Sequence, residues 1–228
     1  MYKLIGQVGL GGLLKAGIFE VYRKVWRQLV CNSYSQNWED ALIDKILNYP
    51  KKGFYVEIGA YRAKRLSNTW RFYKKGWQGV VVEPNPKVGR EFRRDRPRDK
   101  FVSAGVGAKD GMMKYVKFDI PALNTFSVKE AKESVQKGFR RSEMVDIKVI
   151  GIKKFLKKFV GNKKIDILSI DTEGWDELIL KNWNWKYRPK IVCVETDKKN
   201  SIEGLLIGRN YILVAKTKHN SIFKSIID

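Results

Sequence analysis

Ile165-Asp166-Ile167-Leu168-Ser169-Ile170-Asp171-Thr172-Glu173-Gly174 is an apolar, partly β-branched run that stops abruptly at two carboxylates and a glycine. A strand buried on both faces reads as such a run, and a parallel sheet covered by helices supplies that burial. Asp171 and Glu173 then stand at a strand's carboxyl edge, where open α/β sheets build their sites.

The segments on either side alternate in the same sense. Residues 54–58 predict a strand closed by a Gly59-Ala60 turn. Residues 68–75 predict a helix stopped by Gly76. Residues 79–82 predict a second strand ending in Glu83-Pro84, 86–94 a short basic helix and 100–106 a third strand. Asp110-Gly111 has hairpin-turn chemistry, so 112–118 should pair back against a neighbour. Helix at 128–137, strand at 145–152, a basic helix at 153–159, helix at 175–181, strand at 190–194 and helix at 203–207 follow. Residues 211–215 and 221–227 suit a terminal hairpin around His219-Asn220. At the other end, Ser35 can cap a helix over 36–47 with Glu39 and Asp40 in its first turns. Such alternation implies a mainly parallel, Rossmann-like α/β sheet with helices on both faces and an antiparallel terminal hairpin.

The chain has 228 residues, 43% hydrophobic and 31% charged, enough for one α/β domain with a sizeable core. Its 46 basic and 24 acidic residues leave a net charge of +22. That surplus favours an anionic partner: nucleic acid, an anionic membrane face or an acidic substrate. Cys31 and Cys193 are the only cysteines, and no Cys/His cluster has zinc spacing. Cys193, inside Ile191-Val192-Cys193-Val194, reads as a buried small hydrophobe. The scarcity of cysteine fits a reducing, cytoplasmic setting. Residues 1–34 read as an amino-terminal basic amphipathic helical segment, and 35–228 as the main domain. The apolar start is too short and interrupted to span a bilayer. The pattern after it, with Arg23, Lys24 and Arg27, suits either peripheral contact of residues 1–30 with an anionic membrane or packing on the domain.

Strand ends carry the chemistry. Gly59 allows close approach of a ligand to the backbone, and also suits an ordinary turn. Glu83, 26 residues after Glu57, can accept both hydroxyls of a ribose. The stretch from Glu57 to Ala63 lacks the further glycines of a dinucleotide fingerprint.

Taken jointly, these pieces resemble the FkbM family of S-adenosylmethionine-dependent methyltransferases. The resemblance rests on Ser35-Gln36, on Tyr55-Val56-Glu57-Ile58-Gly59-Ala60, on Ser67-Asn68-Thr69 and on Val81-Val82-Glu83-Pro84-Asn85-Pro86. It continues through Ala104-Gly105-Val106-Gly107 with Asp110-Gly111, through 147–152, and through Leu168-Ser169-Ile170-Asp171-Thr172-Glu173-Gly174. It implies a class I methyltransferase sheet with S-adenosylmethionine as cofactor. It places Glu57, Gly59 and Tyr61 in the first cofactor motif and Glu83 with Pro84 at the ribose. It further places Ser103 and Ala104 near the adenine, Asn68 toward the methionine carboxylate, and Asp171 beside the transferred methyl group. Many members carry asparagine and a further glycine where this chain has Tyr61 to Lys64.

Transfer to a hydroxyl is an in-line displacement that needs alignment, worth ~7 kcal/mol, and a proton acceptor. The only histidine, His219, falls in the terminal turn. Asp171 and Glu173 are therefore the candidate catalytic acids, and two neighbouring carboxylates raise one another's pKa. Either could instead cap the helix that follows. No third ligand accompanies them for a metal. The expected reaction is O-methylation of a small-molecule, glycan or lipid-linked acceptor. Leu123–Ser127 could cover it, and Lys129, Lys132, Lys137, Arg140 and Arg141 would suit an anionic one. RNA ribose methylation is the alternative, with Asp171, Lys198 and Glu195 in a Lys-Asp-Lys-Glu-like set. A non-catalytic scaffold is a third reading.

Overall fold

The computed structural model describes residues 33–195 and 201–227. The amphipathic segment expected over 1–34, except Ser33 and Tyr34, lies outside them, as does Lys198. One sheet runs in the order β3 (Lys100–Val102), β2 (Gln78–Val82), β1 (Phe54–Ile58), β7 (Ile167–Ile170), β8 (Ile191–Glu195), β10 (Asn220–Ser225), β9 (Tyr211–Lys216). The first five strands are mutually parallel, and β10 is antiparallel to both β8 and β9. Strand order reverses direction between β1 and β7, a topological switch point.

Strand alternation divides the core into two layers. Phe54, Val56 and Ile58 face the same side as Leu168, Ile170, Val192 and Val194. There they meet helices α5 (Ile152–Phe155), α6 (Asp176–Asn182) and α7 (Ser201–Ile207) through Phe155, Leu180 and Leu206. Tyr55, Val81, Ile167, Ile191 and Cys193 face the other side. They pack on α1 (Glu39–Ile46), α2 (Trp70–Lys74) and α3 (Gly89–Asp95) through Ile43, Phe72 and Phe92. Each fully buried aliphatic or aromatic side chain contributes on the order of 2 kcal/mol.

Three local expectations change. The strand expected over 100–106 splits: β3 ends at Val102, the chain turns at exposed Ser103, and β4 (Gly105–Gly107) enters a second sheet of order β4-β6-β5. Strand β6 (Arg141–Gly151) lies between β4 and β5 (Gly111–Phe118), parallel to the former and antiparallel to the latter. Asp110-Gly111 therefore does not close a two-strand hairpin. Instead Asp110 accepts a bond from the Gly151 N–H at 2.8 Å, which pins the connection to β6. The first helix starts at Glu39, not residue 36, because Trp38 holds a left-handed φ of 66°. Helix α4 (Val128–Gln136) covers the second sheet, where Ala131 meets Val116 and Phe118.

Candidate active site

The carboxyl ends of β1, β2, β3 and β7 enclose a pocket beside the switch point. Ile58, Gly59, Val82, Pro84, Ala104, Gly105, Val106, Phe126, Thr172 and Trp175 line it. Phe126 and Trp175 stack with ring centroids 4.7 Å apart and planes 22° apart, and Tyr115 joins Phe126 at 4.6 Å. These rings come from the second sheet, the loop before α4 and the turn before α6. The pocket is therefore built across both sheets.

Of the residues expected at the cofactor, Gly59, Pro84 and Ala104 line the pocket. Gly59 adopts φ +84°, and a Cβ there would lie 1.7 Å from the Asp171 carbonyl oxygen. Its glycine is thus required by the crossing of two chain segments, beyond any ligand approach. The Asp171 N–H donates to the Ile58 carbonyl at 3.0 Å and holds that crossing.

Glu83 is buried. One carboxylate oxygen accepts the Tyr61 N–H at 2.9 Å and the other the Asn85 N–H at 2.8 Å. Burial pushes its pKa up to about 7 against those two donors. Tyr61, at φ 51°, enters the site through its backbone N–H. Glu83 does not itself line the pocket but stands between Val82 and Pro84, which do.

Glu57, Asn68 and Ser103 lie elsewhere than expected. β1 alternation turns Glu57 into the α2–α3 layer, where its carboxylate meets Arg96 at 3.1 Å, Thr69 Oγ1 at 2.6 Å and Ser67 Oγ at 3.2 Å. Arg96 is fully buried and also bonds Asp99 at 2.6 Å, and Asp99 accepts the Tyr55 hydroxyl at 2.8 Å. Asn68 donates its amide to Ser169 Oγ at 3.0 Å, beneath the sheet ends. Binding a cofactor carboxylate through that amide would require Ser169 to be released. Ser103 is exposed, and it is Ala104 that reaches the pocket.

At the end of β7 the chain makes a constrained turn. Glu173 has φ 53° and Gly174 φ 112°. The Thr125 hydroxyl donates to the Glu173 carbonyl at 2.7 Å. Helix α6 is opened by Asp176, whose carboxylate accepts the Thr172 and Gly174 N–H groups at 3.1 and 3.4 Å. Thr172 Oγ1 accepts the Trp175 N–H at 3.2 Å. These bonds brace the turn ahead of α6, whose first turn takes no side-chain cap, so neither Asp171 nor Glu173 performs the capping that the sequence allowed. Residues in unfavourable backbone regions cluster at functional sites.

Four further carboxylates act on Asp171. Burial, then Glu173, Asp176, Glu195 and Glu39, raise its pKa well above the usual carboxylate range. Burial, then Glu195, Asp176 and Glu130, push Glu173 up to about 8, with Lys137 opposing. Burial with Asp176 and Glu130 takes Glu195 to about 7. Glu39 behaves oppositely. Burial opposes its charge, but bonds from the Asn37 N–H at 2.7 Å, Thr217 Oγ1 at 2.7 Å and Asn220 Nδ2 at 3.2 Å hold its pKa below the ordinary value. Sequence reading missed Glu39 and Asp176 here because each looks like an ordinary first-turn helix acid. Among the described residues, no group of three or more His, Cys, Asp or Glu is arranged to hold a metal ion.

The family model described as Methyltransferase FkbM domain matches residues 57–220. No curated protein matches the chain. Among solved structures, the chain is similar to a TehB-like SAM-dependent methyltransferase from Corynebacterium glutamicum. Identity is 12%, the alignment covers 90% of this chain and 97% of that one, and the TM-score is 0.43. The family match spans the Gly59 turn, Glu83, the constrained turn after β7, strand β9 and the turn residues Thr217 and Asn220 that bind Glu39. The chain is therefore a methyltransferase and belongs to the FkbM methyltransferase family.

Proposed function

We propose that this enzyme methylates a hydroxyl group of a small molecule or glycan, with S-adenosylmethionine as donor and Asp171 as the proton acceptor. The observation that carries this reading is the position of Asp171. It stands at the carboxyl end of β7, across the switch point from the pocket. Its pKa is raised, and its carboxylate is not spent on capping the helix that follows. Glu83 would accept the ribose hydroxyls, with Pro84 and Ala104 against the base and the Gly59 turn alongside. The bound cofactor supplies an electrophilic methyl group on a sulfonium. Asp171 would accept the proton of the acceptor hydroxyl, and Glu173 beside it would keep the pair basic near neutral pH.

The field at this mouth bears on the acceptor. Glu195, Asp176 and Glu130 act on Glu173 there with Lys137 opposing, whereas Lys129 pairs with Glu133 at 3.7 Å and Arg140 with Asp119 at 4.0 Å. An uncharged or cationic acceptor fits this edge better than the anionic one suggested by net charge. Calorimetric titration with S-adenosylmethionine should give saturable heat and a raised Tm. The Asp171→Asn variant should bind the cofactor equally well and lose turnover by on the order of a hundredfold or more. No binding heat would overturn the donor assignment, and full turnover in the variant would overturn the base.

A further inference from the structure

The amino-terminal edge of the main sheet, opposite the pocket, carries most of what the acidic mouth lacks. Parallel strands place their first residues along this edge, and the end of β10 joins them because β10 runs antiparallel. The segments 51–54, 163–166, 186–190, 207–212 and 224–227 contain one acid, Asp166, among lysines and arginines. Asp166 is already engaged: it accepts the Phe54 N–H at 2.8 Å and pairs with Lys190 at 2.8 Å.

These segments form one continuous surface. The Lys190 N–H donates to the Ile165 carbonyl at 3.1 Å, and the Ser225 N–H to the Lys190 carbonyl at 2.9 Å. The Ile226 N–H donates to the Asn210 carbonyl at 3.0 Å, and the Arg188 guanidinium to the Arg209 carbonyl at 2.6 Å. Lys163 lies over the Phe54 ring at 4.7 Å, which ties in the start of β1. Lys51, Lys52, Lys164, Lys190, Arg209 and Lys224 are exposed on it. Among the charges stand four isoleucines, Ile207, Ile212, Ile226 and Ile227, each between 45% and 58% exposed.

We infer that this edge is a docking surface for an anionic lipid bilayer. Clustered lysines near a surface of acidic lipid headgroups each strengthen attraction, and exposed branched apolar side chains enter the headgroup boundary. The isoleucines favour a bilayer over RNA, since single-strand recognition uses stacking aromatic faces and duplex recognition needs no apolar contact. The strands between this edge and the pocket are about 15 Å long. Docking here leaves the pocket facing water, so the acceptor approaches from the aqueous side. The inference is independent of the methyl-transfer reading and of residues 1–30.

The test uses the full chain and sedimentation with phosphatidylcholine vesicles, with and without phosphatidylserine. The wild type should bind only the phosphatidylserine vesicles, with affinity that falls as salt rises. Joint Lys52→Gln, Lys164→Gln and Lys224→Gln substitution should weaken partitioning on the order of a hundredfold. Ile226→Ser with Ile227→Ser should weaken it about tenfold at unchanged charge. Both variants should keep the wild-type Tm and S-adenosylmethionine affinity, because none of these residues lines the pocket. The inference is overturned if both variants bind vesicles as tightly as the wild type, which would assign the contact to residues 1–30. It is equally overturned if the wild type ignores phosphatidylserine vesicles, including the case where it binds an RNA duplex through these lysines.

Discussion

Replacing Glu173 by glutamine tests the electrostatics of the site without any ligand. Burial and the neighbouring carboxylates raise Glu173 from an ordinary 4.5 to about 8. Within that interval the folded protein keeps a proton that the unfolded chain has released, so stability declines as pH rises through it. At ~1.4 kcal/mol per pH unit, the interval sets a ceiling of about 5 kcal/mol on the cost of holding Glu173 ionised. Glu173 is only half-buried, and Asp171 and Glu195 share the same field, so water and proton exchange within the group reduce the effect. We expect about 1–2 kcal/mol. Glutamine is uncharged at every pH and nearly isosteric at the same left-handed backbone. The variant should match the wild type in urea unfolding near pH ~5 and exceed it by about 1–2 kcal/mol near pH ~8.5. The informative quantity is the difference between the two curves, since charges elsewhere titrate alike in both. A difference that stays constant with pH, or a variant that is less stable at the alkaline end, would refute the raised-carboxyl account and weaken the case for Asp171 as a base.

The buried carboxylate of Glu83 gives a second expectation. Glu83→Gln should fold normally by circular dichroism and bind S-adenosylmethionine about tenfold to a hundredfold more weakly, as expected for losing one hydrogen bond to a charged acceptor. Wild-type affinity should climb as pH rises through about 7, where Glu83 ionises; affinity insensitive to both changes would remove Glu83 from the ribose. Arg96→Met should cost about 3–5 kcal/mol in urea unfolding, because Glu57 and Asp99 would be left buried without their counter-charge. A loss below about 1 kcal/mol would show that the hydroxyls of Thr69, Ser67 and Tyr55 suffice to hold both acids.

Strand-end chemistry was legible because it is local. The run from Ile165 to Ile170, the Gly59 turn, Glu83-Pro84 and the terminal hairpin each announce themselves within a few residues. Their order is enough to specify a mainly parallel sheet and the edge where Asp171 and Glu83 lie. The family resemblance came from the same short pieces, and the match over 57–220 bears it out. Side-chain direction is less local. Glu57 and Asp171 both sit near strand ends, yet Glu57 lies one position short of the edge and turns into a helical layer against Arg96. Nothing in the basic stretch from Arg93 to Arg98 signals that one arginine of the set will be fully buried.

The sequence by itself therefore determined most strands and helices of the main sheet, the edge that bears the chemistry and the family, since these depend on apolar period, turn residues and spacing. Only the tertiary structure decided what that edge is made of. It brought Phe126 and Trp175 into the pocket from distant segments. It gathered Glu39, Glu173, Asp176 and Glu195 around Asp171. It also set acids close together after β7 and lysines along the opposite edge, because sheet topology sets which residues far apart in sequence share a field. A net charge of +22 describes the whole chain, but the site responds mainly to charges within one screening length, roughly 10 Å.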